Sequence, residues 1–292
     1  MRCATWRVAR RAVLVTLACG LGLQFAELLS WALKSSPESP LSFLHGVFIS
    51  GIAACGIVVL LPLIGWARPG NAWFVAVIAM FFLVGVAYLH SSAPPHIDVY
   101  EFQQRGSAAL LSGRNPFTAS YPNIYGDETP LYSESLYEND RLLFGFPYPP
   151  FSLFLCLPGY LLTGDVRYSH LAAIVFSALL MGLARDGLVS KLAALLFLFS
   201  PAVFWIVHES WTEPFAILLT SVLVFRSLQG RCRPWLLGLL MSSKQYTLLA
   251  APAAWFLVPD RSWAGYGKLM LRSNLKTKSR KSAGRIPVYP PN

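Results

Sequence analysis

Two neighbouring stretches, "AWFVAVIAMFFLVGVAYL" (residues 72–89) and "HIDVYEFQQRGSAALLSGRNPF" (residues 96–117), decide the fold. The first carries no charge and is long enough for a transmembrane helix, which needs about 17 to 25 apolar residues. The second places Asp98 at the start of an amphipathic segment that ends at Gly113 and an Asn-Pro turn. We predict a membrane-spanning helix followed directly by a short helix lying on the membrane surface.

The composition of the whole chain also indicates a membrane protein. Of its 292 residues 55% are hydrophobic and 13% are charged, whereas a soluble domain carries about 25% charged residues. The net charge of +10 comes largely from Lys and Arg that flank apolar segments or lie in the last 33 residues, so nucleic acid is not a predicted partner. The five cysteines lack zinc or CxxC spacing and are interpreted as small core residues.

Seven apolar segments are predicted to cross the membrane: Ala12–Leu33, Leu41–Trp66, Ala72–Leu89, His170–Ala184, Leu192–Val207, Phe215–Phe225 and Trp235–Val258. Lys and Arg in the short loops place the N-terminus in the cytoplasm and the loop 91–169 outside. That loop holds eight of the fourteen acids. Its last part, "FPYPPFSLFLCLPGYLLTG" (residues 146–164), is predicted to be a juxtamembrane or re-entrant segment; a full crossing there is the alternative and would invert all later segments.

The predicted fold class is therefore all-α, a polytopic transmembrane bundle of about seven spans with juxtamembrane helices in its long extracytoplasmic loop. Residues 1–259 would form one integral membrane domain in the plasma (inner) membrane. Residues 260–292 are basic and are predicted to be a disordered or truncated tail.

Three places carry candidate functional residues. Asp98 lies at the water–lipid boundary with Glu101 three residues later; capping of the helix is the alternative role for Asp98. The loop "HESWTEP" contains His208, Glu209, Trp211 and Glu213. In the alternative interpretation Trp211 is an aromatic residue at the membrane interface and the two acids are solvated. Lys244 falls about ten residues into the last segment, roughly 15 Å along a helix, where ionisable groups are usually functional; a structural pair with Glu27 is the alternative.

An ordered set of motifs resembles a known family. The set is Asp98, Tyr100, "ALL" at 109–111, Gly113, "NPF" at 115–117 and "YPP" at 148–150. It is similar to the GT-C glycosyltransferases, and most similar to the alpha-mannosyltransferases that depend on polyprenol-phosphate-mannose. Two positions depart from that pattern: His96 stands in the place of the family's acid, and the Tyr-Pro-Pro run lacks a spacer residue.

The resemblance implies hexose transfer, with mannose as the expected sugar, from a polyprenyl-phosphate donor to a glycan or lipid acceptor outside the membrane. Asp98 would be the catalytic base, with Glu101 as its rival, and the anomeric centre would be inverted. Lys244, in a stretch "SSKQY" that is also similar to the family, would pair with the donor phosphate beside Gln245. The remaining candidate substrate-binding residues are Tyr100, Asn115, Tyr148, His208, Glu209, Trp211 and Glu213. No cofactor is expected, although a divalent metal stays an open alternative.

Two other functions stay open. A transporter or flippase would be expected to contain paired broken helices and internal repeats, and the sequence displays neither. An inactive, truncated glycosyltransferase would fit the basic tail.

Overall fold

The computed structural model describes residues 2–34, 42–62, 70–126, 131–231, 234–249 and 252. Ten α-helices lie in these residues, together with one two-stranded antiparallel hairpin, β1 (Tyr137–Glu138) and β2 (Arg141–Leu142). The helices are α1 (Arg2–Lys34), α2 (Ser42–Leu60), α3 (Asn71–Ser91), α4 (Asp98–Leu111), α5 (Pro150–Thr163), α6 (Arg167–Leu183), α7 (Leu188–Leu198), α8 (Pro201–His208), α9 (Glu213–Leu228) and α10 (Pro234–Met241). The mainly helical architecture confirms the predicted class.

The largest core lies among α1, α2, α3, α6, α7 and α8, and it is rich in aromatic side chains. The rings of Phe81 and Phe199 pack edge to face at 5.1 Å. Gly85 brings α3 close to α6, because a Cβ there would lie 2.6 Å from the Leu171 side chain. These apolar helices thus form a packed bundle.

By length and composition, the described part of the chain contains two helices that could cross a membrane, or up to four candidate spans if each bent helix pair counts as one. Arg11–Lys34 and Asn71–Ser91 each suffice alone. The pair α5 and α6 is bent by 113° and the pair α7 and α8 by 49°, so each pair is a broken span or a re-entrant loop. Association with a membrane is supported, whereas seven spans are not confirmed.

The two bends have local causes in the sequence. Gly164 ends α5 with φ of +80°, a conformation that costs glycine little, and α6 starts three residues later. The re-entrant option predicted for residues 146–164 agrees with this bend. The predicted span Leu192–Val207 is divided at Ser200, because Pro201 begins α8 and cannot donate a backbone hydrogen bond within α7.

The last predicted span, Trp235–Val258, differs from the structure. Helix α10 ends at Met241, and a turn at Ser242 and Ser243 follows. Its predicted continuation beyond Leu249 lies outside the described residues, apart from Pro252, as does the predicted tail 260–292.

Helix α4 begins at Asp98 and ends before Gly113, as predicted. Gly113 has φ of +72°, and Arg114 donates its N–H to the Ala109 carbonyl at 2.9 Å, which closes a Schellman motif. The predicted apolar face does not lie on a membrane surface: Phe102 and Ala109 are buried, and Phe102 packs against aromatic residues of the 116–148 loop. On the opposite face Gln103 and Ser107 are buried whereas Arg105 is exposed, so protein covers most of α4 but not all of it.

Candidate functional site

Asp98 occupies the first turn of α4, next to two tyrosines of the loop 112–149, which joins α4 to α5. Its carboxylate accepts a hydrogen bond from the Tyr132 hydroxyl, and its backbone N–H donates to the Tyr125 oxygen at 3.1 Å. The N-cap of α4 is Ile97. Since the Asp98 carboxylate is held by a loop tyrosine, the interpretation that it only caps the helix is wrong.

The negative charge of Asp98 also reaches Tyr148. Burial, then Asp98, then Glu213 raise the pKa of the Tyr148 phenol. Burial and the hydrogen bond to Asp98 raise the pKa of Tyr132 as well. Both phenols therefore stay protonated at neutral pH and can donate hydrogen bonds, for instance to a sugar hydroxyl or a phosphate oxygen.

Lys244 forms an ion pair with Glu213, at the start of α9. The ammonium also lies 4.9 Å from the centroid of the Tyr246 ring. Lys244 follows the turn after α10 and is not inside a spanning helix, so its predicted depth is wrong. Its partner is Glu213 and not Glu27, so the predicted structural pair is wrong as well.

The turn that carries Lys244 is hydrogen-bonded to the loop 112–149, which also contacts Asp98. Gln245 donates its side-chain N–H to the Pro147 carbonyl at 3.2 Å, directly before Tyr148. Since Asp98 and Glu213 both act electrostatically on Tyr148, these groups share one region although they are distant in the sequence. Asp98 and the Glu213–Lys244 pair therefore both lie in the region of Tyr148.

An apolar cavity of about 500 Å³ opens beside Glu213 and Tyr246. Its other lining residues come from α6, α7, α9, α10 and the turn that follows α10: Met181, Phe197, Ala216, Ile217, Thr220, Ser221, Leu240 and Thr247. The second Glu213 carboxylate oxygen, Oε2, is buried and has no hydrogen-bond partner among the described residues. The cavity therefore has a mainly apolar lining with one charged residue, Glu213.

The "HESWTEP" turn lies between α8 and α9, on the same side as the loop tyrosines. His208 Nδ1 lies 3.1 Å from Glu209 Oε1. Burial raises the pKa of Tyr125, and the charge of Glu209 contributes a smaller part of the rise. Trp211 is 38% exposed, with its ring open at the surface. Glu209 is therefore near Tyr125, whose oxygen accepts the Asp98 N–H. Trp211 stacks on no other aromatic ring among the described residues.

Three predicted site residues have other surroundings. The Glu101 carboxylate accepts a 2.5 Å hydrogen bond from Arg105, one turn along α4. Tyr100 is buried in a separate cluster and lies under the Arg167 guanidinium, 5.9 Å from the ring centroid. Asn115 follows the far end of α4, about 20 Å from Asp98 along the helix, where its side chain accepts the Phe117 N–H at 3.0 Å.

The sequence interpretation missed one buried amide. Gln103 lies among the polar residues of the amphipathic segment, where exposure is expected, yet it is fully buried. Its Nε2 donates to the Ser210 carbonyl at 2.6 Å, and the Cys156 thiol donates to its Oε1 at 2.9 Å. Gln103 therefore joins α4 to the 209–212 turn and to α5, and no local pattern distinguishes it from its exposed neighbours.

Tyr125 and Tyr132 were missed as well. The signal available for them was the density of tyrosines in the loop, where Tyr121, Tyr125, Tyr132, Tyr137 and Tyr148 occur within 28 residues. In the described residues no group of three or more His, Cys, Asp and Glu side chains could hold a metal ion.

No family model, curated protein or solved structure matches this chain. Its function must therefore be inferred from the chemistry of the site and from the motifs in the sequence.

Proposed function

We propose that this protein is a membrane glycosyltransferase that moves a hexose, with mannose as the first candidate, from a polyprenyl-phosphate donor to an extracytoplasmic hydroxyl. The observation that carries the proposal is the Glu213–Lys244 pair: Glu213 lines an apolar cavity, and its charge and that of Asp98 both raise the pKa of Tyr148. A lipid-linked sugar phosphate needs a base, a cation and a place for a hydrocarbon chain. This region offers each of them.

Asp98 is the proposed catalytic base. The acceptor hydroxyl must lose its proton as its oxygen attacks the anomeric carbon, and a carboxylate within hydrogen-bond reach can accept that proton. The bond from the anomeric carbon to the phosphate oxygen breaks in the same step, and the polyprenyl phosphate leaves with the electron pair. A single displacement inverts the anomeric centre. Glu101 remains the rival base, but its carboxylate is engaged by Arg105.

Lys244 is the proposed phosphate-binding residue. An ammonium has three donors, and Glu213 takes one of them. The other two can hydrogen-bond the donor phosphate, and charge-assisted bonds of this kind are among the stronger ones in proteins. The apolar cavity beside the pair would hold the first part of the polyprenyl chain.

The test is sugar transfer in membranes that contain the full chain, supplied with radiolabelled polyprenyl-phosphate-mannose. Asp98→Asn should abolish transfer at equal protein levels. Asp140→Asn is the matched control, because Asp140 is an exposed acid of the hairpin turn with φ of +58°, which Asn tolerates. Equal transfer by wild type and Asp98→Asn would remove Asp98 from the mechanism and leave Glu101 to be tested.

The two bent helix pairs favour lipid transport as a second candidate. Broken helices occur at the binding sites of many transporters, and the 113° bend between α5 and α6 is of this kind. Reconstituted vesicles with a fluorescent polyprenyl phosphate would decide between the two. Protein-dependent movement of the lipid across the bilayer without sugar transfer would favour transport.

A further inference from the structure

A second charged group, remote in sequence from Asp98, lies on the surface of the helical bundle. Glu27 lies in α1 within the candidate span Arg11–Lys34, and its side chain is exposed. It lines a groove of about 250 Å³ whose other residues are Trp31, Pro201, Ala202 and Trp205. The groove is therefore a carboxylate flanked by two indoles.

Glu27 has no charged partner in the described part of the chain. The positions three and four residues away in α1 hold Leu23, Gln24, Ser30 and Trp31, so no basic residue is placed for a helical ion pair. No ion pair to Glu27 is formed from another helix within the described ranges. A carboxylate exposed within a span is costly unless it finds a cation or a proton.

The neighbouring Gln24 adds a second unpaired acceptor. Its side-chain oxygen is buried and accepts no hydrogen bond from any residue that the structure describes. Gln24 and Glu27 are three residues apart and so share one face of α1. This face of α1 therefore carries an amide oxygen without a hydrogen-bond donor and a carboxylate without a charged partner among the described residues.

The two indoles favour a cation as the missing partner. The faces of Trp rings attract ammonium groups, more strongly when water is excluded. Trp205 is 57% exposed and Trp31 is 37% exposed. Trp31 is oriented by edge contacts with Phe48 at 6.0 Å and Tyr88 at 5.6 Å.

The position of the groove along α1 indicates the source of that cation. Glu27 lies seven residues before the end of α1 at Lys34, about 10 Å along the helix axis. Exposed Leu23 and Leu33 flank it, which suits contact with lipid. Tryptophans concentrate at the level of the lipid headgroups. A lipid ammonium would therefore reach this groove more readily than a solute from water.

We propose that Glu27, Trp31 and Trp205 form a binding site for the primary ammonium headgroup of a membrane phospholipid such as phosphatidylethanolamine. The ammonium would donate to the Glu27 carboxylate while the indoles cover it. A quaternary trimethylammonium group has no N–H to donate, so it would balance the charge of Glu27 but form no hydrogen bond to its carboxylate. This site is independent of the proposed sugar transfer.

The test uses the full chain in lipid nanodiscs of equal parts phosphatidylethanolamine, phosphatidylcholine and phosphatidylglycerol. After purification, native mass spectrometry would measure which lipids stay bound. Wild type should retain phosphatidylethanolamine in preference to the other two. Glu27→Gln should lower that preference by about tenfold, because both the charge pair and the cation–π contacts depend on a held ammonium.

Further variants keep the test decisive. Glu27→Asp retains the charge and should keep the preference in part, and Trp205→Leu should lower it without touching the carboxylate. Glu138→Gln, at an exposed acid of the hairpin, is the matched control and should keep the full preference. Because the readout is a ratio of lipids on the same folded protein, a lower yield of one variant does not obscure it.

Two results would overturn the proposal. One is an equal ratio of phosphatidylethanolamine to phosphatidylcholine in wild type and Glu27→Gln. The other is displacement of the lipid by soluble ethanolamine at millimolar concentration, which would assign the groove to a small dissolved amine.

Discussion

Replacing Lys244 by Met tests whether Lys244 serves only as the ion-pair partner of Glu213 or also binds the donor phosphate. The change removes the ammonium but keeps a side chain of similar length. It leaves Glu213 with one carboxylate oxygen that keeps only the Tyr246 hydroxyl, at 3.4 Å, and another that is already buried without a partner. We expect a loss of stability and, if the proposed function is right, a separate loss of donor binding.

The size of the structural part follows from the exposure of the pair. The side chains are 15% exposed for Lys244 and 30% exposed for Glu213. Exposed pairs contribute roughly 0.2 to 1 kcal/mol, whereas removal of one partner of a fully buried pair costs about 3 to 5 kcal/mol. For this partly buried pair we expect a coupling energy of about 1 to 2 kcal/mol. Glu213→Gln alone should lower the free energy of unfolding by less than Lys244→Met does, since the glutamine amide oxygen can still accept a hydrogen bond from Lys244.

The functional part is measured in the Glu213→Gln background, where no buried carboxylate is left unpaired. Hydrogen bonds to a charged group contribute about 1.5 to 3 kcal/mol. The KM for the lipid-linked donor should therefore rise roughly 10- to 150-fold when Lys244→Met is added to Glu213→Gln. Lys34→Met, which removes an exposed lysine from the end of α1, is the matched control and should leave KM unchanged.

The assay combines thermal unfolding in detergent with initial rates of sugar transfer for wild type, the two single variants and the double variant. If Lys244→Met changes stability but leaves KM unchanged in the Glu213→Gln background, Lys244 is only a structural partner. If the coupling energy is close to zero, the structural argument is wrong.

Two further predictions concern tyrosines of the loop 112–149 and of α4: the hydrogen bond that Tyr132 donates to Asp98, and the raised pKa values of Tyr100 and Tyr121. Tyr132→Phe should lower kcat about tenfold or more with little change in KM, because the candidate base loses a charge-assisted hydrogen bond; Tyr121→Phe, whose hydroxyl donates only to a neutral carbonyl, is the control, and an unchanged kcat in Tyr132→Phe would refute the positioning role. Burial raises the pKa of Tyr100 and of Tyr121 from 10.0 to about 12. Both phenols stay neutral in the folded state while they ionise in the unfolded state above pH 10, so stability should fall between pH 10 and 12 by up to about 1.4 kcal/mol per pH unit for each tyrosine. Urea unfolding across this range, with tyrosinate absorbance as a second probe, would check the sign, and constant stability would contradict it.

Local patterns in the sequence predicted the helices whose signals are local. The start of α4 at Asp98 and its end before Gly113 depend on an amphipathic repeat and a glycine with positive φ, both of which act within one turn. The long span in α3 follows from its uninterrupted apolar run. These elements need no information from the rest of the chain.

The errors concern features that depend on distant contacts. The partner of Lys244 is 31 residues away, and it became reachable only because α10 ends at Met241 and the chain turns back toward Pro147. The division of Leu192–Val207 did have a local signal in Pro201, but a hydropathy average over the segment obscures it. The burial of Gln103 on the polar face of α4 could not be predicted, because its partners, Ser210 and Cys156, are distant in the sequence.

The buried amide of Gln103 explains how the separate parts of the candidate site are held in register. Asp98 lies on α4, and Glu213 begins α9. Gln103 of α4 donates a hydrogen bond to the backbone carbonyl of Ser210, in the turn that leads into α9. That turn has φ of +55° at Ser210, so its direction is set by a conformation that serine rarely adopts. A hydrogen bond of 2.6 Å to this carbonyl fixes the turn against α4 and thereby fixes the start of α9 three residues later. Gln103, which takes no part in the proposed chemistry, therefore holds the start of α9, where Glu213 lies, against the helix that carries Asp98.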